Sequence, residues 1–112
     1  MAIELDEIMA LDLWRRSIVT TVQREAPDLS ARQMALLLTV YLTPPPHTIR
    51  GLAGILKVSK PAITRAVDRL STLGMVRRKA DEADRRSVNL QRTVKGSVFL
   101  REIGEIIVHS AA

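Results

Sequence analysis

The chain has 112 residues with 17 Lys and Arg against 12 Asp and Glu, no cysteine, and an aromatic content of 3%. This length gives one domain with a modest core built from Leu, Ile, Val and Ala, and the lack of cysteine excludes disulfides, thiolate metal sites and a cysteine redox sensor. The acidic start MAIELDE lacks the basic region of a signal peptide, and the longest apolar run, Met34 to Leu38, is too short for a bilayer, so a cytoplasmic protein is expected.

Charge is segregated along the chain. Residues 1–47 hold 4 Lys/Arg and 6 Asp/Glu, whereas residues 48–101 hold 13 and 4. A positive block of this kind is the electrostatic footprint of a polyanion partner. A membrane surface would require a basic helix with a large aromatic or leucine face, and the basic residues here are spread over several elements.

From Ile3 to about Arg24 the spacing predicts a long first helix. Ile3, Ile8, Leu11, Ile18 and Val22 fall near one face, widened by Leu5, Met9, Trp14 and Val19. This arc is broader than a small domain needs, which points to a partner chain. Pro27 and Asp28 break the helix, and Ser30-Ala31-Arg32-Gln33 forms a capping box opening a second helix to about Leu42. Its MALLL run predicts burial on most sides. Pro44-Pro45-Pro46 ends it as a stiff loop.

Two short helices follow, joined by a tight turn. The first, about Ile49 to Leu56, starts at Thr48 as N-cap and turns Ile49, Leu52, Ala53 and Leu56 inward. The turn Lys57-Val58-Ser59 has no glycine, so Lys57 is expected in the left-handed region at a cost of about 1 kcal/mol. Ser59 then caps the next helix, with Pro61 in its first turn where no hydrogen bond is lost. Ile63, Ala66, Val67, Leu70 and Leu73 share a core face. Pro61, Thr64, Arg65, Asp68 and Thr72 share the opposite one, flanked by Lys60 and Arg69. Short side chains near the N-terminus, an arginine able to grip a guanine edge and cations at the flanks suit a helix entering the DNA major groove.

Leu73-Gly74 supplies a stop signal, and Met75–Lys79 and Ser87–Arg92 alternate as two strands. Between them, Asp81 to Arg86 is a turn whose adjacent Arg85 and Arg86 could enter a narrow minor groove, with Asp84 placed to hold one of them. Thr93 caps a last helix to about His109, with Val98, Ile103, Ile106 and Ile107 among its apolar positions. His47 and His109, the two histidines, sit at opposite ends of the chain without HExxH, Walker or nucleophile-elbow spacing. Both are read as surface residues. Catalysis, a metal and a cofactor are not expected.

From Leu29 to about Leu100 the chain resembles the MarR family of winged helix-turn-helix transcription regulators. The resemblance is carried by LSARQMALLL, LAGILKVSKPAITRAVDRLSTLGMVRR, DEADRRSVNLQ and TVKG. It implies a mainly α fold with a small β-hairpin wing: an N-terminal dimerisation helix over residues 1–26, a DNA-binding core over 29–92 and a C-terminal dimerisation helix over 93–112. With the chain ending soon after Ile107, the C-terminal dimer region is expected to be one helix. The implied function is a homodimeric repressor on a pseudo-palindromic site in double-stranded DNA. By position, Ser59, Lys60, Pro61, Thr64 and Arg65 face bases or nearby phosphates, Arg69 meets phosphate, and Arg85 or Arg86 enters the minor groove. A small-molecule effector is compatible with the family but is not indicated by these residues. The alternatives are a winged helix that binds protein instead, and an architectural protein that binds DNA without reading sequence.

Overall fold

The computed structural model describes residues 4–84 and 86–112; Ile3 and Arg85 lie outside the described residues. Seven elements follow in order: α1 Glu7–Gln23, α2 Ala31–Leu42, α3 Ile49–Leu56, α4 Lys60–Thr72, β1 Val76–Ala80, β2 Val88–Arg92 and α5 Val94–Ala111.

Local signals set most of these boundaries. Ser30 and Gln33 form the complete capping box of α2, the Ser30 hydroxyl accepting the Gln33 N–H and the Gln33 amide accepting the Ser30 N–H. Thr48 caps α3 by accepting the Gly51 N–H at 2.9 Å, and Ser59 caps α4 by accepting the Ala62 N–H at 3.3 Å. α1 starts later than the expected Ile3 because Asp6 is its N-cap, accepting the Met9 N–H at 2.8 Å. Lys57 ends α3 in the left-handed region at φ 54° and ψ 44°, as the glycine-free turn required. Lys57→Gly relieves that strain, partly offset by greater freedom in the unfolded chain, and is expected to raise the melting temperature by about 2–4 °C. An unchanged or lower melting temperature in calorimetry would contradict the strain.

The fold divides into two compact units, Leu29–Phe99 and a second made of the chain up to Asp28 together with Leu100–Ala112. In the first unit, α2, α3 and α4 enclose a core of Leu36, Leu37, Val40, Leu52, Ile63, Val67 and Leu70, closed by Met75, just before β1, and by Val76 and Leu90 of the hairpin. Each large aliphatic side chain buried here contributes about 1.5–3 kcal/mol. Burial of α2 is one-sided, contrary to the expectation from its apolar run: Ala35 and Leu38 are exposed, because the core lies against a single flank of the helix. Leu73, expected in the core, is half-buried because it is the C-cap that follows the last turn of α4, while Ala62 is buried instead.

β1 and β2 pair antiparallel in the register Val76↔Arg92 through Ala80↔Val88. On its other edge β2 is met by a bridge from Thr48 to Asn89, and the Leu90 N–H donates to the His47 carbonyl at 2.8 Å. His47 is therefore not a surface residue: it is 5% exposed, and its Nε2 lies 3.0 Å from the Thr43 carbonyl at the end of α2. The stretch between α2 and α3, to which His47 belongs, thus lies along the free edge of β2. His109 is exposed.

Thr93 and Gly96 lock the start of α5 to the rest of this unit. The Thr93 hydroxyl donates to the Gly74 carbonyl at 2.7 Å and accepts the Gly96 N–H at 3.0 Å. The Tyr41 hydroxyl of α2 donates to the Met75 carbonyl at 2.6 Å and accepts the Thr93 N–H at 2.8 Å. Arg92 donates to the Val40 and Thr43 carbonyls, each at 2.9 Å, satisfying the end of α2.

In the second unit α1 buries Ser17, whose hydroxyl donates back to the Leu13 carbonyl at 2.8 Å, and Arg24 is ion-paired with Glu102 of α5. Much of the apolar arc of α1 stays uncovered: Ile8 is 74% exposed, Leu11 63%, Trp14 62% and Val22 72%. Asp12 lies among these side chains, bonded to Arg15 at 2.9 Å and Arg16 at 3.1 Å. The Arg15 hydrogen bond foremost holds the Asp12 carboxyl below the usual carboxylate range, so a fixed charge cluster interrupts the apolar face.

Candidate nucleic-acid interface

The exposed side of α4 is what remains once the helix has satisfied the core. Ala62, Ile63, Ala66, Val67 and Leu70 point inward at helical spacing. Pro61, Arg65, Asp68 and Thr72 are exposed on the other side and Thr64 is half-buried between them, with Lys60 and Arg69 exposed as well. Ser59 sits at the helix start, its hydroxyl engaged in the cap. Six of the eight residues singled out from the sequence, Ser59 through Arg69, thus lie on or directly before one helix. The three short side chains Ser59, Pro61 and Thr64 leave the first turns free for close approach, and Arg65 stands behind them. Among the described residues Arg65 has no carboxylate in ion-pair range, so its guanidinium is available to an outside acceptor.

In the wing, the expected pairing of Asp84 with Arg85 lies outside the described residues, and Asp84 bonds the backbone of the turn. Its Oδ1 accepts the Arg86 backbone N–H at 3.0 Å and its Oδ2 accepts the Ser87 hydroxyl at 3.4 Å. The carboxylate folds the turn, as Asp side chains in tight loops commonly do, and among the described residues it forms no ion pair with the Arg86 guanidinium. The turn closes with Asp81 N–H donating to the Ser87 carbonyl at 3.1 Å and Ser87 N–H to the Asp84 carbonyl at 2.9 Å. Arg86 is exposed.

One element of the interface had no signal in local spacing. In the hairpin register Arg78 stands opposite Leu90, so it shares the face on which Val76 and Leu90 are buried, while Arg77 and Lys79 point the other way. Arg78 reaches across to α4 and forms an ion pair with Asp68. The strand that carries the wing is therefore tied directly to the outward face of α4. The register could have suggested the face, but only the fold brings residues 68 and 78 together.

Three helices, a left-handed turn in the middle pair and an antiparallel hairpin form a winged helix-turn-helix. Among solved structures, transcriptional regulator Tm0710 from Thermotoga maritima superposes with a TM-score of 0.66 at 25% identity, over 93% of this chain and 66% of that one. The S. aureus MepR–DNA complex superposes with a TM-score of 0.76 at 17% identity, over 91% of this chain and 81% of MepR. In sequence, the HTH-type transcriptional regulator PecS of Dickeya dadantii (strain 3937) is 34% identical over 79 residues, which cover 69% of this chain and 48% of PecS. The match thus spans about half the length of that curated relative. Residues 28–87, which run from the approach to α2 through the wing turn, match the sequence model of the MarR family. With the capped helix pair, the wing and the sequence match in agreement, the chain belongs to the MarR family.

Proposed function

We propose that this chain is a regulator of transcription, not an enzyme, that binds double-stranded DNA as a homodimer and reads a pseudo-palindromic operator, acting as a repressor in the cytoplasm. The observation that carries the reading is the outward face of α4, where short side chains at the helix start precede Arg65, with its free guanidinium among the described residues, and a flanking Arg69. In this reading Ser59, Lys60, Pro61, Thr64 and Arg65 meet base edges or adjacent phosphates, Arg69 meets phosphate, and Arg85 or Arg86 enters the minor groove. That MepR has been solved with DNA on the same fold is consistent with this use of the helix. The test is titration of the protein onto duplexes of mixed sequence over a range of salt. Duplex binding that weakens with salt agrees with the proposal, and no duplex binding at low salt contradicts it.

The dimer rests on α1. Ile8, Leu11, Trp14 and Val22 are large apolar side chains exposed together on α1, as interaction surfaces are, and the Asp12–Arg15–Arg16 cluster offers both signs of charge to a second copy. Sedimentation at micromolar concentration is expected to give two copies per particle, and Leu11→Glu to give one. A wild-type monomer under those conditions would contradict dimerisation through this face.

A further inference from the structure

We infer that Asp68 is a specificity-determining residue that acts by withholding positive charge from DNA of the wrong sequence; this rests on the proposal that α4 reads DNA. The basic stretch from residue 48 to residue 101 contains four carboxylates, Asp68, Asp81, Glu82 and Asp84. Three of them belong to the wing turn, where Asp81 accepts the Ala83 N–H at 2.9 Å and Asp84 accepts the Arg86 N–H. Asp68 alone stands on a regular element, and it stands on the outward face of α4 with Pro61, Thr64 and Arg65.

Stability does not explain it. The carboxylate is 60% exposed and its partner Arg78 is 36% exposed, and surface pairs of this kind contribute little to folding. An anion on a face turned to phosphates is unfavourable for binding. Paired with Arg78, it also removes one cation that would otherwise neutralise a phosphate on any duplex. On the correct site the base contacts of α4 fix the register, so one cation fewer changes little. On a random duplex, where attraction to phosphate supplies nearly all the affinity, its absence is felt in full. The Asp68–Arg78 pair therefore widens the gap between correct and incorrect DNA.

The test compares the wild-type chain with Asp68→Asn, Arg78→Gln and the double variant. Equilibrium binding is measured on a mixed-sequence duplex and on a duplex selected by the wild type. Asp68→Asn is expected to tighten mixed-sequence binding about fivefold near 0.15 M salt, with a salt slope steeper by about 0.9, the effect of one more phosphate neutralised. Affinity for the selected duplex is expected to change less than about twofold, so selectivity falls. Arg78→Gln leaves Asp68 uncompensated and weakens mixed-sequence binding, and the double variant returns to the wild-type slope. An equal gain on both duplexes would reduce Asp68 to net charge and overturn the inference. So would a loss on both, which would mean that Asp68 braces Arg78 for a contact of its own. Wild-type binding decides the underlying reading separately: a wild type that binds no duplex overturns both, whereas a selective wild type with an unaltered Asp68→Asn slope overturns only this inference.

Discussion

Arg65→Ala is expected to lower affinity for the preferred duplex by about 1–3 kcal/mol, roughly five- to 150-fold, and to relax selectivity at the base pair it meets. The size follows from its place on α4. Arg65 is one turn inside the helix, behind the short side chains of Pro61 and Thr64, exposed, and free of any carboxylate partner among the described residues. An arginine so placed can make two parallel hydrogen bonds to a guanine edge. Lysine cannot reproduce this fork, so Arg65→Lys is expected to lose most of the selectivity while keeping the charge. Arg69→Ala provides the contrast, because removing a cation from a phosphate weakens binding to every sequence alike and flattens the salt slope by about one. Competition binding with single-base variants of the preferred duplex separates the two. Equal, sequence-blind losses from Arg65→Ala and Arg69→Ala would remove Arg65 from the reading role and favour an architectural protein.

The largest expected effect on stability is Gly96→Ala. Alanine normally favours a helix over glycine by about 1 kcal/mol, and position 96 lies within α5. Here a Cβ would collide with the Tyr41 hydroxyl and the Met75 carbonyl, two atoms that are themselves hydrogen-bonded to each other. Opening that site displaces Tyr41 from the Thr93 N–H and from the Met75 carbonyl, leaving half-buried polar groups without partners. The net destabilisation is expected to be about 2–4 kcal/mol, a fall in melting temperature of more than about 10 °C. Tyr41→Phe alone costs less, about 1–3 kcal/mol, because it strips the hydroxyl without adding volume. The double variant is expected to lose less than the sum, since one of the two colliding groups is gone. A Gly96→Ala variant that melts higher than the wild type would show that helix propensity outweighs the close approach, contrary to the geometry.

The parts of the fold legible in the sequence are those set within four or five residues. The capping box at Ser30 and Gln33, the caps at Thr48 and Ser59, Pro61 in the first turn of α4 and the left-handed Lys57 each need only their neighbours. Periodicity likewise separates the core face of α4 from its outward face. The features that escape local reading draw on distant chain segments. Tyr41 and Gly96 belong to α2 and α5, so no local pattern announces that a glycine at 96 makes room for a hydroxyl at 41. His47 is polar and follows three prolines, which suggests a surface loop, yet β2 bonds to its carbonyl and the residue is buried. Apolar spacing extends the first helix to Ile3, but the Asp6 cap overrules spacing and starts it later. On the candidate interface, one-dimensional spacing assigns residues to the outward face of α4 but does not give the tie between Asp68 and Arg78, which depends on the register of β1 against β2 and on the approach of β1 to α4.

A dimer that reads sequence is tested most directly by selection of binding sites from a random duplex library at about physiological salt. Enrichment of a two-fold symmetric motif, with half-sites about one helical turn apart, is the predicted result, because two copies of α4 related by a dimer axis enter successive major grooves. Recovery of duplexes with no shared motif, all losing affinity steeply as salt rises, would contradict it.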